Sequence, residues 1–428
     1  LGKQTDLIEG NISKALLVFA VPLLIGNLFQ QLYNTADSYV VGNFVDTNAL
    51  AAVGASASVI QMLVGFFMGL SVGAGVVIAQ YFGAGQKEKM SQAVHSALAL
   101  TVLLSVLFTV AGIALTRPLL RAIGVPQEVL PHSTLYLTIY FAGITFLLFY
   151  NMGSGILRAI GNSRDPLIYL AVASVLNVIL DVLLVCVARL GVAGVALGTM
   201  IAQAVSAYLV MRQLIRTSEA YRVELKKIRF HREMIRQILM VGLPAALQQS
   251  ITAFSNVVVQ SYINSFGTAA IAGYSTTIRI DGFLQLVLQS FNMTITTFVG
   301  QNIGARKTER VKQGIFIAWV MCSAIILAGS VWMNREGALL VSLFTDDAAV
   351  VANGAAMLKL FSYAYWSLPV VQILSGALRG AGKSSIPMFF MLSCFVVIRQ
   401  IYLAVTVPAT HSLLVVMAGW PVTWALCA

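Results

Sequence analysis

Two stretches of this chain are written twice at one spacing, and that duplication limits the fold more than any other feature. Gln80, Gly83, Ala84 and Glu88 recur as Gln301, Gly304, Ala305 and Glu309, each 221 positions later. Ser154, Gly155, Arg158, Gly161, Ser163 and Pro166 recur as Ser375, Gly376, Arg379, Gly382, Ser384 and Pro387, again at an offset of 221. A shared offset in two separate stretches makes the halves equivalent structural units. Both halves are apolar: 58% of the 428 residues are hydrophobic and only 10% are charged, against about 25% charged in a soluble domain. A duplicated apolar chain reads as a transporter whose substrate path lies between its repeats.

Apolar runs reaching the roughly 20 residues that cross a bilayer centre near residues 27, 65, 103, 144, 177 and 203. A second set centres near 250, 285, 322, 363 and 397, and a last run begins near Ser412. The expected class is therefore an all-α integral membrane protein with twelve transmembrane helices. Pro22, Pro244 and Pro369 interrupt such runs, as prolines at bends do. The N-terminal segment and the loops after even-numbered helices hold 20 of the 27 Lys and Arg. Odd-numbered loops hold four (Arg117, Arg121, Arg189 and Arg335). That asymmetry predicts a cytoplasmic N-terminus, and six helices per half make the repeats parallel. The expected units are a first lobe over 1–215, a basic cytoplasmic linker over 216–236 and a second lobe over 237–428. The linker reads as a solubilised connector beside anionic headgroups.

The formal charge of +11 would suggest nucleic acid in a soluble protein; here it follows from membrane orientation, and no nucleic-acid partner is expected. Cys186, Cys322, Cys394 and Cys427 lie singly in apolar runs, which argues against a disulfide framework or a metal knuckle. No cleavable signal peptide is evident, and both ends are expected to be trimmed, the second within the last helix.

Three carboxylates, Asp37, Asp181 and Asp281, fall inside the helices. A charge at the bilayer centre costs about 2.5–3.5 kcal/mol even on the mild insertion scale, so each needs a cavity, a partner or a proton. Gln30, Asn34 and Asp37 share one helical face, with Tyr33 a turn before the acid. Asn177 precedes Asp181 by one turn, and Thr199 and Gln203 are four apart in helix 6. Asp37 and Asp181 have no basic neighbour on their own helices, so they are expected to form one acidic, oxygen-rich pocket for H⁺ or Na⁺. The alternative is that each caps a broken helix or bonds a backbone group. The second half lacks these acids; Arg279, Asp281 and Arg399 stand there instead, with Asp281 expected to bridge an arginine or to take part in binding. Gln285, Gln289 and Asn292 extend a polar stripe along helix 8.

These residues resemble the multidrug and toxic-compound extrusion family along nearly the whole chain. The likeness rests on Pro22 with Asp37, Val41-Gly42, Ala49 to Gly54, Gly69, Gln80 to Gly85, the turn at Arg158 and Gly161, and Asn177 with Asp181. It is closest to that family's bacterial branch related to the DNA-damage-inducible exporters. The resemblance implies a V-shaped pair of six-helix lobes exporting amphiphilic, often cationic compounds by H⁺ or Na⁺ antiport. It makes Asp37, Asn177, Asp181 and Thr199 the cation site and Pro22 the bending residue. A second branch uses acids in helices 7 and 10, where this chain has only Gln248 and Gln249 and no acid.

Substrate is expected between the lobes, against Gln30, Tyr33, Asn34, Met62, Phe66, Tyr150, Gln203, Arg279, Asp281, Gln285, Met293 and Arg399. Aromatic faces suit organic cations, and methionine adapts to varied shapes. A monomer in the inner membrane of a bacterium, surrounded by lipid and needing no cofactor, is expected. The nearest alternative is a flippase for a lipid-linked oligosaccharide or cell-wall precursor. An enzyme is disfavoured, since His95, His132, His231 and His411 are scattered and no HExxH or GxSxG occurs. A channel would not require this duplication.

Overall fold

The computed structural model describes residues 5–45 and 47–428, apart from the side chains of Asn34, Ser38, Val41, Asn43, 47–50 and Ser58. Backbone groups find no hydrogen-bonding water in a bilayer, so apolar runs this long close their bonds internally as helices. The first six are α1 (Ile12–Phe44), α2 (Thr47–Gly83), α3 (Lys87–Ala122), α4 (Leu130–Ala159), α5 (Arg164–Val187) and α6 (Val192–Arg216). The second six are α7 (Arg232–Asn264), α8 (Thr268–Gly304), α9 (Thr308–Ser342), α10, α11 (Ser385–Thr410) and α12 (Leu413–Cys427). Among the described residues, nine helices are long and apolar enough by composition to cross a membrane. Side chains such as Val106, Val110, Phe316 and Trp332 point outward from the bundle, as a lipid-facing surface requires.

Helix α9 is kinked at Glu336, and α5, α10 and α11 also depart from uniform winding. Helix α10 is broken into Ala348–Ser362 and Ser367–Gly380; Pro369 sits in the first turn of the second piece, where a missing N–H costs nothing. In α5 and α11 the winding loosens to π-helix, over Val182–Val187 and Ser393–Ile398. The first π turn follows Asp181 directly and the second directly precedes Arg399.

The halves meet chiefly along α2, α7 and α8. Gly69 and Gly73 of α2 cross Ala246 and Gly242 of α7 so closely that an added Cβ would lie 2.3 Å from the Ala246 nitrogen and 2.4 Å from the Gly242 Cα. This is the close approach that small residues four apart permit. The duplicated motif explains itself at the end that carries the N-terminus and the basic loops, here called the basic face. Gln80 Nε2 donates to the Gly380 carbonyl at 2.9 Å, and Gln301 Nε2 donates to the Ala159 carbonyl at 2.7 Å. Donors and acceptors are both 221 apart, so each half caps a helix of the other.

The N-terminal segment adds a strap over the same face. The Thr5 amide donates to the Gly161 carbonyl at 2.9 Å. Asn302 Nδ2 reaches the Leu7 carbonyl at 3.0 Å, and Arg310 reaches the Gly10 and Glu9 carbonyls at 2.8 Å. The segment between the halves is docked as well: Tyr221 and Val223 are buried, and the Glu224 amide donates to His95 Nε2 at 3.0 Å.

Candidate functional site

The outer part of α1, the end of α5 and the start of α6 bring Asp37, Asn177, Asp181 and Thr199 together. All four are buried, Asp181 completely. The carboxyls of Asp37 and Asp181 are within hydrogen-bonding reach of each other, and Asn177 and Thr199 face Asp37. Thr199 Oγ1 donates to the Val195 carbonyl at 3.0 Å and lies 3.4 Å from Asp37 Oδ2. Asn177 Nδ2 reaches Thr199 Oγ1 only at 3.5 Å.

The site is therefore rich in acceptors and poor in donors. Asp37 Oδ1, Asn177 Oδ1 and both carboxylate oxygens of Asp181 are buried without any protein donor. No base compensates them: the ion pairs among the described residues are Lys227–Glu224, Lys307–Glu9 and Lys312–Glu309, all at the basic face. Buried carboxylates left this way cost several kcal/mol each. A proton shared between the acids, or a hard cation among the oxygens, removes that cost.

A small cavity adjoins the acids, lined by Tyr33, Ser174, Asn177, Thr199 and Gln203. Tyr33 interacts with Gln30 and Gln203, which carries the polar surface from the cavity along α1. Val40, Tyr136, Val185, Val192 and Val195 form an apolar cluster beside it that keeps the carboxyls from bulk water. Gly198 has a role that spacing within one helix does not reveal: a Cβ there would stand 2.5 Å from Asp181 Oδ1. The signal was the pair Gly194 and Gly198, four apart, whose first member lies against the Leu184 backbone.

The remaining expected cavity residues divide. Met62 is exposed, with its carbonyl accepting from Ser250 of α7 at 3.3 Å. Met293 lines a cavity between the halves together with Ser71, Arg158 and Thr296. Phe66 instead packs against Phe67 and Phe108, and Tyr150 is buried with its hydroxyl donating to the Pro166 carbonyl at 3.2 Å. Both belong to the core of the first half, because their helix faces turn toward α3 and α5. The side chain of Asn34 lies outside the described residues.

In the second half no bridge forms between Asp281 and an arginine. Asp281 accepts a short hydrogen bond from the Tyr365 hydroxyl and longer ones from Gln285. Arg399 is buried over Phe395 and Trp420 and donates to Thr423 at 3.1 Å and Asn256 at 3.3 Å, so its hydrogen-bond partners are neutral. Arg279 is exposed. The polar stripe of α8 runs into a seam with α10: Asn292 donates to the Gln372 carbonyl at 2.7 Å and accepts from Arg379 at 3.3 Å.

Known proteins agree with this architecture. The curated relatives include the "Probable multidrug resistance protein YpnP" of Bacillus subtilis (strain 168), 30% identical over 94% of this chain and 90% of the relative. The "Multidrug export protein MepA" of Staphylococcus saprophyticus is 24% identical over 88% of this chain and 83% of that protein. A solved structure described as the outward-facing conformation of a multidrug resistance MATE family transporter superposes with a TM-score of 0.92. It is 24% identical and covers 100% of this chain and 95% of that one. The MatE family model matches twice, over residues 22–183 and 244–405, one match in each six-helix lobe. This chain, a multi-pass membrane protein built of two such lobes, is a member of the MatE (multidrug and toxic-compound extrusion) family.

Proposed function

We propose that the protein is a multidrug efflux antiporter that exports amphiphilic organic cations in exchange for H⁺ or Na⁺ bound between Asp37 and Asp181. The carrying observation is the set of four buried oxygens without donors on Asp37, Asn177 and Asp181. Such a group exists in two electrostatic states separated by the arrival of one positive charge. When the ion binds, α1 bends at Pro22 and reshapes the first-lobe cavity, which links ion entry to drug release. A membrane potential contributes about 2.3 kcal/mol per charge per 100 mV, enough for an appreciable population shift. The basic face is taken as cytoplasmic in an inner membrane, and the similarity to a probable multidrug resistance protein and a multidrug export protein supports drug export.

The test is efflux of a fluorescent organic cation from vesicles under separately imposed pH and sodium gradients. Asp37→Asn and Asp181→Asn are each expected to abolish gradient-driven efflux with the protein still inserted. Undiminished efflux by both variants overturns the site. A flippase for lipid-linked precursors is the second reading, favoured by Arg158 in the cavity between the halves. Transport of such a precursor in place of the organic cation would select it.

A further inference from the structure

A groove of about 820 Å³ lies between the start of α7 and the start of α11, on the outer wall of the second half. Its bed is apolar, built from Leu239, Met240, Leu243, Leu247 and Met388, of which Met240, Leu243 and Leu247 are exposed. Arg232 and Arg236 line its rim at the basic face. Both are exposed and have no carboxylate partner among the described residues. Glu233 on the same turn is engaged by Gln237 at 3.3 Å.

The position of these arginines is informative. They stand in the first two turns of α7, where the helix dipole disfavours cations and favours a bound anion. The groove thus presents two guanidiniums without carboxylate partners, at the N-terminal end of a helix, above a bed of hydrocarbon. Pro244 also lines it, and its missing N–H and bulky ring free the Met240 carbonyl from the helix ladder. An occupant must be anionic at the basic end and apolar for several turns along α7.

We infer that this groove binds an anionic phospholipid of the leaflet at the basic face, its phosphate on Arg232 and Arg236 and an acyl chain along Leu239, Leu243 and Leu247. A zwitterionic lipid brings the same chain without net charge, and free phosphate brings the charge without the chain. The inference leans on the proposed cytoplasmic orientation only for the supply of anionic lipid. Binding to purified protein is independent of orientation and of transport, so its failure is distinct from failure of the antiport reading.

The test is native mass spectrometry of the full chain in detergent, titrated with phosphatidylglycerol, phosphatidylcholine or inorganic phosphate. Phosphatidylglycerol is expected to be retained preferentially. The double variant R232Q/R236Q should lower its affinity about ten- to thirtyfold, the worth of two arginines at an anionic surface, and leave phosphatidylcholine unchanged. The control R212Q/R216Q, elsewhere on the basic face, should change neither lipid. Leu243→Trp should reduce retention of both lipids by filling the bed. Equal retention of the two lipids, an equal loss in the control, or binding of phosphate alone with the same dependence on Arg232 and Arg236 would overturn the lipid site.

Discussion

Asp181 has no exposed surface and neither of its carboxylate oxygens meets a donor. An amide in its place keeps the shape and removes the charge. Asp181→Asn is therefore expected to raise the melting temperature of the purified protein by a few degrees, since a buried carboxylate without a partner carries an unrepaid desolvation penalty of several kcal/mol. A melting temperature lowered by the substitution would show that the carboxylate is already compensated. Gly198→Val places a branched side chain where even a Cβ stands 2.5 Å from Asp181 Oδ1; overpacking of this kind costs about 1–3 kcal/mol. Drug efflux should fall far more in Gly198→Val than in Gly282→Val, where a Cβ meets nothing within 4 Å. Similar losses in both would remove Gly198 from the site. The acids and their amide and hydroxyl neighbours were legible in the sequence because spacing of three or four along a helix fixes a shared face. The partners of Gly198, Phe66 and Tyr150 were not, because a residue's face relative to other helices is decided by packing across the bundle.

Helices α1 and α7 hold equivalent places in the two halves, yet they are fastened differently. The glycines of α2 lock α7 backbone to backbone, while α1 lies more loosely against α8, the counterpart of α2. Pro22 lies inside α1 and removes the hydrogen bond that would run to the Val18 carbonyl. The helix that carries Asp37 is thus the one freer to bend. Pro22→Ala restores the bond and is expected to slow drug efflux several-fold while leaving ion-dependent thermal stabilisation in place, measured as turnover in vesicles beside melting curves. Unchanged turnover would remove the bend from the mechanism. Gly73→Val, by contrast, attacks the fixed crossing and should abolish folded protein in detergent, as judged by size-exclusion chromatography. The twelve spans were legible from hydropathy. Pro369 marked the place where α10 breaks, but the π turns in α5 and α11 were not legible, since an extra residue in one turn leaves no mark on an apolar run. The connector keeps its basic side chains exposed, as a solubilised linker does, and is pinned at Tyr221 and Val223, which pack against the apolar core of the first half, and at His95.

Across the whole molecule the duplication is both the plan of the fold and its fastening. Gln80 and Gln301 cap each other's lobes through reciprocal hydrogen bonds of 2.9 and 2.7 Å, and the strap of residues 5–10 spans both lobes at the same face. The repeat itself was visible in sequence; that its motif ties one lobe to the other required the positions of both. Each bond contributes about 1 kcal/mol, so the double variant Gln80→Ala/Gln301→Ala should loosen the basic face. In a cysteine-free background carrying Ser71→Cys, in the cavity between the halves, labelling by an impermeant thiol reagent from the basic face should quicken. Unaltered labelling would assign the closure to the apolar contacts alone. The central claim is that the Asp37–Asp181 pair takes up the ion that drives export. Its most direct measurement is proton or sodium uptake coupled to organic-cation efflux in proteoliposomes, compared between the native chain and Asp37→Asn/Asp181→Asn. The account predicts that one of the two gradients drives efflux in the native chain and that neither does in the variant. Gradient-driven exchange that persists in the variant would contradict it.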